Sequence, residues 1–247
     1  MREFLSSSPC DDDVPQGCEL PCILFTRNQF VDQLRKRWQP GQYAVIVAAT
    51  PDAYALNDEM CSTFHRALAW HGMQYVSTTV VDNRNVDDLP QLIAESSMVI
   101  LAGGHVPTEN AFFARIGLRA LLADYEGDIM GISAGSMNCC GTVYAQPEEA
   151  GEATDPHYRR WIDGLQLTNG MVLPHYQRVK DTWLDGMRLM EDITYADSYG
   201  HTFYALPDSS YVLAEDGAAV IYGEAYRIAD GACTQVCTHG HTLQILP

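Results

Sequence analysis

Between residues 43 and 138, short apolar runs alternate with helix-patterned segments, and this alternation constrains the fold more than any other feature of the chain. Tyr43 to Ala49 (YAVIVAA) and Met98 to Ala102 (MVILA) are unbroken apolar runs. That is the signature of strands buried on both faces of a parallel sheet. Gln74 to Val81 is rich in β-branched residues, and Asp128 to Ile132 supplies a fourth strand. Between the strands, Leu56, Met60, Phe64 and Leu68 recur every four residues, a helix ending near Gly72. A short helix is expected over 87–95, a longer one over Pro107 to Tyr125, and another starting at Ala134. Strands alternating with helices predict an α/β fold, a three-layer sandwich around a mainly parallel sheet. In such a sheet, ligand chemistry gathers beyond the carboxyl ends of the strands.

The flanking regions are less regular. Residues 1–20 are polar and acidic and read as an irregular arm; Leu20 to Phe25 reads as an opening strand, and 28–38 as a short basic helix. After residue 150 a loop is expected over 151–161, a strand over Leu165 to Leu173, and a helix marked by Val179, Trp183, Met187 and Met190. From Phe203 onward, short apolar segments separated by Asp216-Gly217 and Asp230-Gly231 predict a β-meander extending the same domain. The chain, 1–247, is thus read as one domain.

A net charge of −17 argues against nucleic acid, whose phosphates it would repel. No apolar run reaches the roughly 18–20 residues of a membrane helix, and the start lacks the pattern of a secretory signal. A cytoplasmic protein with reduced thiols is expected. Cys18/Cys22 and Cys233/Cys237 share a C-x3-C spacing, but the tighter C-x2-C of most zinc sites is absent. No metal and no other cofactor is expected. Cys139 and Cys140 read as small buried thiols.

The feature that carries chemistry is Gly131-Ile132-Ser133-Ala134-Gly135 at the end of the fourth strand. A serine hydroxyl needs a base, a group to orient that base, and donors for the developing oxyanion. A strand–Ser–helix turn exposes the hydroxyl, aims the Ala134 N–H at an oxyanion, and leaves Gly103-Gly104 of the neighbouring strand to offer a second donor. Among eight histidines, His175 is favoured as base because it follows a buried strand and Pro174. His157 ranks second; His239 and His241 sit where an α/β-hydrolase esterase would place its base, and His65 and His71 lie on a helix. The acid stays open among Glu148, Glu149, Glu152, Asp155 and Asp163. The plain alternative is a glycine-rich turn surrounded by surface acids.

Gly103-Gly104-His105, then the serine turn, then Gly164-Leu165-Gln166-Leu167 leading to Leu173-Pro174-His175-Tyr176, together resemble peptidase family S51. That family comprises dipeptidase E and its relatives, including cyanophycinases, within the class I glutamine amidotransferase-like superfamily. The resemblance covers residues 43–230 and implies a flavodoxin-like α/β fold bearing a serine peptidase of small peptides, without metal or organic cofactor. It implies Ser133 as nucleophile, His175 as base, and Gly104 and Ala134 as oxyanion donors. The position fifteen residues past the serine makes Glu148 the expected third member, with Glu149 as alternative acid. Arg178 and His105 are the expected substrate contacts, and Arg159 or Arg160 could also meet an aspartate side chain. The expected partner is a small peptide, not nucleic acid or a membrane, with a homodimer left open. Other readings are a cyanophycinase-like hydrolase and a catalytically silent relative that binds a metabolite or a partner. Glutamine amidotransfer is disfavoured because it needs cysteine at the turn.

Overall fold

The apolar runs line up side by side. Ser77–Val81, Tyr43–Val47, Met98–Leu101 and Asp128–Ile132 form a parallel array, as their continuous apolarity requires. In the computed structural model, which describes residues 1–11 and 13–245, this array is part of an eight-stranded sheet. Residues 12, 246 and 247, which the expected arm and single domain included, lie outside the described residues. Successive side chains on each strand enter opposite cores. Ala44 and Ile46 join Phe64, Leu68 and Phe30 on one face, while Val45 and Val47 join Leu89, Phe112, Phe113 and Met137 on the other. The helices Phe30–Arg35 and Tyr54–Trp70 therefore cover one face. Leu89–Glu95, Val106–Arg115, Leu118–Leu122 and Ala134–Asn138 cover the other. This is the expected three-layer α/β sandwich. The helix expected over Pro107 to Tyr125 is two helices, split at Gly117, whose φ of 65° breaks the first.

The first residues depart from expectation. Arg2–Ser6 is a fully buried strand within the main sheet, not part of an irregular arm. It runs parallel to Asp128–Ile132 and antiparallel to Tyr211–Glu215, which continues through Ala218–Tyr222 to Thr242–Ile245. Two charged residues disguise it. Arg2 lies opposite Asp128 in the strand register, donates from Nε to Asp128 Oδ1 at 3.0 Å, and also donates to the Gln33 carbonyl at 2.9 Å. Glu3, on the next pleat, points into the other core, and burial pushes its carboxyl up to about 7.

That shift sets a pH dependence of stability. With the folded pKa above the unfolded one, Glu3 contributes most at low pH, where it is neutral in both states. Its contribution falls from pH 4.5 to about pH 7, the ordinary and buried values. The loss amounts to roughly 3 kcal/mol at about 1.4 kcal/mol per pH unit. Glu3→Gln is expected to raise urea-unfolding stability by about 1–3 kcal/mol at pH 8 and to have little effect at pH 4. An equal gain at both values would show that ionisation is not its cause.

The segment after residue 170 also differs from expectation. The strands beyond residue 202 do not form one meander, because they divide between two sheets. Thr202–Ala205, Ala225–Ala229 and Ala232–Cys237 join Met171–Leu173 in a separate four-stranded sheet. The helix expected across Val179 to Met190 is replaced by a short helix, Tyr176–Val179, and a hairpin pairing Trp183–Leu184 with Met187–Arg188. Asp185-Gly186, with φ of 53° and 82°, makes the turn. The helical spacing of the apolar residues misleads here because Trp183 is 65% exposed rather than packed.

Candidate active site

Ser133 stands at the carboxyl end of Asp128–Ile132, immediately before the helix Ala134–Asn138. Its backbone, at φ 51° and ψ −113°, is strained for a residue with a side chain. Close packing enforces the turn: a Cβ on Gly131 would fall 2.6 Å from Ser136 Cα, and one on Gly135 would fall 2.3 Å from the Leu101 carbonyl oxygen. The Ser133 N–H is held by the carbonyls of Ser6 and Ser7 at 3.0 and 3.1 Å, and Ser136 Oγ donates to the Ser6 carbonyl at 2.8 Å. The first strand thus clamps the turn from beneath.

His175 follows Met171–Leu173 and is likewise in a left-handed conformation, at φ 56° and ψ 33°. Its Nε2 lies 2.9 Å from Ser133 Oγ, and its Nδ1 lies 2.7 Å from Asp208 Oδ1. The structure therefore brings the expected serine and histidine together but supplies a different acid. Asp208, not Glu148 or Glu149, occupies the Nδ1 side of the ring. Met171–Leu173 and Thr202–Ala205 are adjacent parallel strands in register Leu173↔Ala205, so the residues just beyond their ends emerge side by side. One emerges as Leu173-Pro174-His175 and the other as Leu206-Pro207-Asp208. The repeated Leu-Pro-X at two strand ends is the sequence signal that could have found it.

Burial raises the Asp208 carboxyl, but hydrogen bonds from His175 and Ser7, the imidazole charge and a bond from Gln177 outweigh that effect and hold it below the ordinary carboxylate range. Ser7 links all three groups. Its Oγ donates to Asp208 Oδ1 at 2.7 Å and accepts the His175 N–H at 2.7 Å, while its carbonyl meets the Ser133 N–H. Sequence reasoning missed Ser7 because it lay in the supposed arm.

Glu148 sits across the cleft. Its N–H and that of Glu149 both donate to Glu152 Oε2, at 2.8 and 2.9 Å, and Glu152 Oε1 meets His105 Nε2 at 2.8 Å. These bonds fix the loop on the Val106 side of the site, away from Nδ1. Glu148 shares with Ser133 and His175 a cavity of about 210 Å³, walled by Val106, Met137, Val179, Leu184 and Leu189. The carboxyl opens to solvent on one side while protein crowds it on the others; that burial raises its pKa, and the Val106 N–H and the charges of His105 and His175 partly offset the rise.

The remaining expected contacts are elsewhere. Arg178 is exposed and lies 3.4 Å from Asp208 Oδ2, on the outer side of the acid. Arg160 is paired with Asp197, Arg159 is exposed, and His105 is held between Thr108 and Glu152. Gly104 packs against Ala49 and Thr50, whereas Gly103 is the glycine pressed against Ser133. Ala134 opens its helix, so its N–H has no acceptor within that helix. Cys139 and Cys140 are buried, Cys139 Sγ donating to the Gly135 carbonyl at 3.2 Å. Among the described residues, the group with metal-ligand spacing is His105, Glu149 and Glu152, and it includes no cysteine. Nor is any helix among them long and apolar enough to cross a membrane.

The backbone is similar to two solved structures. A crystal structure of a peptidase from an acI-B1 Actinobacterium superposes with a TM-score of 0.66 at 11% identity, covering 99% of this chain and 96% of that one. A protein described as a peptidase E from Listeria monocytogenes EGD-e superposes with a TM-score of 0.58 at 13% identity, covering 96% and 98%. At such identities the likeness shows the fold. No curated protein is significantly similar in sequence. The model of peptidase family S51 matches residues 24–222.

Proposed function

This chain belongs to peptidase family S51, and on that footing we propose that it is a serine peptidase of small peptides acting through Ser133, His175 and Asp208. The observation that carries this reading is the unbroken relay Oγ–Nε2, Nδ1–Oδ1 at 2.9 and 2.7 Å. His175 Nε2 takes the Ser133 proton as Oγ attacks the scissile carbonyl, and Asp208 holds Nδ1–H so that Nε2 is free to accept it. The tetrahedral oxyanion forms beside the free N–H of Ala134, on the side where Gly103 is pressed against Ser133. It collapses to an acyl-serine as the imidazolium returns the proton to the leaving amine. Water, deprotonated by the same imidazole, then releases the acid and restores Ser133. The small cavity favours short peptides, being below the roughly 300–1,000 Å³ usual for drug-sized ligands.

Ser133→Ala is expected to lower peptide hydrolysis by at least about 10⁴-fold, read as amine release from a dipeptide library, and to abolish labelling by a fluorophosphonate. Hydrolysis retained in this variant would overturn the assignment.

A further inference from the structure

The wall of the cavity beside Ser133 has a composition that bears on substrate choice. Its apolar side is built from Val106, Met137, Val179, Leu184 and Leu189, each from a different element of the chain. Its charged group is Glu148, and no Arg or Lys is among the residues that line it. A site that received an aspartate side chain would need a cation there. The candidates for that task are engaged or outside: Arg178 borders the outer face of Asp208, Arg160 pairs with Asp197, and Arg159 is exposed.

Glu148 is placed as an anchor. Pro147 precedes it, its N–H is tied to Glu152, and Glu152 is tied in turn to His105, so its backbone is held before any ligand arrives. Among the described residues it forms no ion pair with Arg or Lys. A peptide whose first carbonyl lies at Ser133 carries its α-nitrogen on the order of 2.5 Å from that carbonyl carbon, given standard backbone dimensions. Nucleophile and carboxylate bordering one small cavity therefore suit the carbonyl and the ammonium of the same residue.

We propose that Glu148 binds the α-ammonium of the substrate and that the apolar wall receives the side chain of its first residue, making the enzyme one that removes an apolar amino acid from a free peptide N-terminus. This rests on the serine-peptidase reading. The crowding that makes ionised Glu148 costly alone is offset when a cation arrives. The net charge of −17 further draws cationic peptide ends toward the protein.

The test compares Leu-Leu, Met-Leu and Val-Leu with Asp-Leu and with N-acetyl-Leu-Leu, using wild type, Glu148→Gln and Glu148→Asp, alongside fluorophosphonate labelling of Ser133. With wild type, an apolar first residue is expected to exceed Asp about 100-fold in kcat/KM, and acetylation to cost about 100-fold, chiefly in KM. Glu148→Gln is expected to raise KM for free-amine dipeptides about 10–100-fold and to erase most discrimination against the acetylated one, with partial recovery in Glu148→Asp. Labelled protein that prefers Asp-Leu, or that hydrolyses the acetylated peptide equally well, overturns the inference alone. Unlabelled Ser133 in folded protein overturns the serine mechanism and the inference with it.

Discussion

Asp208→Asn is expected to reduce kcat by about 10⁴-fold, the scale seen when the acid of a serine triad becomes an amide. The reason is the tautomer. Asp208 Oδ1 accepts from His175 Nδ1 at 2.7 Å and from Ser7 Oγ at 2.7 Å, while Oδ2 accepts from Gln177. An asparagine that turns its NH₂ toward Nδ1 makes that nitrogen an acceptor. The ring proton then moves to Nε2, which can no longer take one from Ser133. Combining Asp208→Asn with Ser133→Ala should add almost nothing, because the groups act as a unit. Steady-state hydrolysis measures the loss, and a low-field Nδ1 proton signal, present in wild type and absent in the variant, identifies its cause. Near-wild-type turnover in Asp208→Asn would remove Asp208 from the mechanism. The depressed Asp208 pKa also fixes a sign: its contribution to stability is full above the ordinary carboxylate range and is lost only as pH falls through the lower folded value.

Breaking the buried ion pair of the first strand should give the largest loss of stability. Arg2 and Asp128 are almost fully enclosed, with side-chain exposures of 2% and 6%, and the guanidinium meets both carboxylate oxygens. Arg2→Met strands the Asp128 carboxylate in the core with only Arg37, 3.8 Å away, still near it. The expected cost is about 3–5 kcal/mol, seen as a lower urea midpoint. Replacing both, as Arg2→Met with Asp128→Leu, is expected to recover most of that loss, since an apolar pair leaves no charge to solvate. Equal destabilisation by the single and double variants would assign the effect to packing instead.

How legible these features are in the sequence follows from how locally each is encoded. The buried strands and the serine turn are written in contiguous residues: YAVIVAA, MVILA and the glycines around Ser133. His175 is marked by the strand before it. Asp208 is not, because it is chosen by the pairing of Met171–Leu173 with Thr202–Ala205, a contact between segments about thirty residues apart. Counting from the serine instead leads to Glu148, which faces the same cleft from the opposite wall. Arg2–Ser6 escapes recognition because its charges are neutralised in two different ways, Arg2 by a partner 126 residues distant and Glu3 by a raised pKa. Local propensity cannot register either. The hairpin at Asp185-Gly186 shows the converse, a turn dipeptide whose local signal outweighs an apparent helical period.

The place of Arg2–Ser6 has a kinetic consequence. The strand lies between Asp128–Ile132 and Tyr211–Glu215, so the segment synthesised early has no complete docking site until more than two hundred residues have been made. Contacts so distant along the chain carry a large loop-closure cost and form slowly. The interior slot between those two strands is an unpaired gap while it waits, open to a competing strand. Because Ser7 directly follows that strand and bonds to Ser133, His175 and Asp208, the proposed catalytic centre is complete only once the strand is in place. Recovery of activity in a refolding experiment would therefore time the closure of the sheet itself.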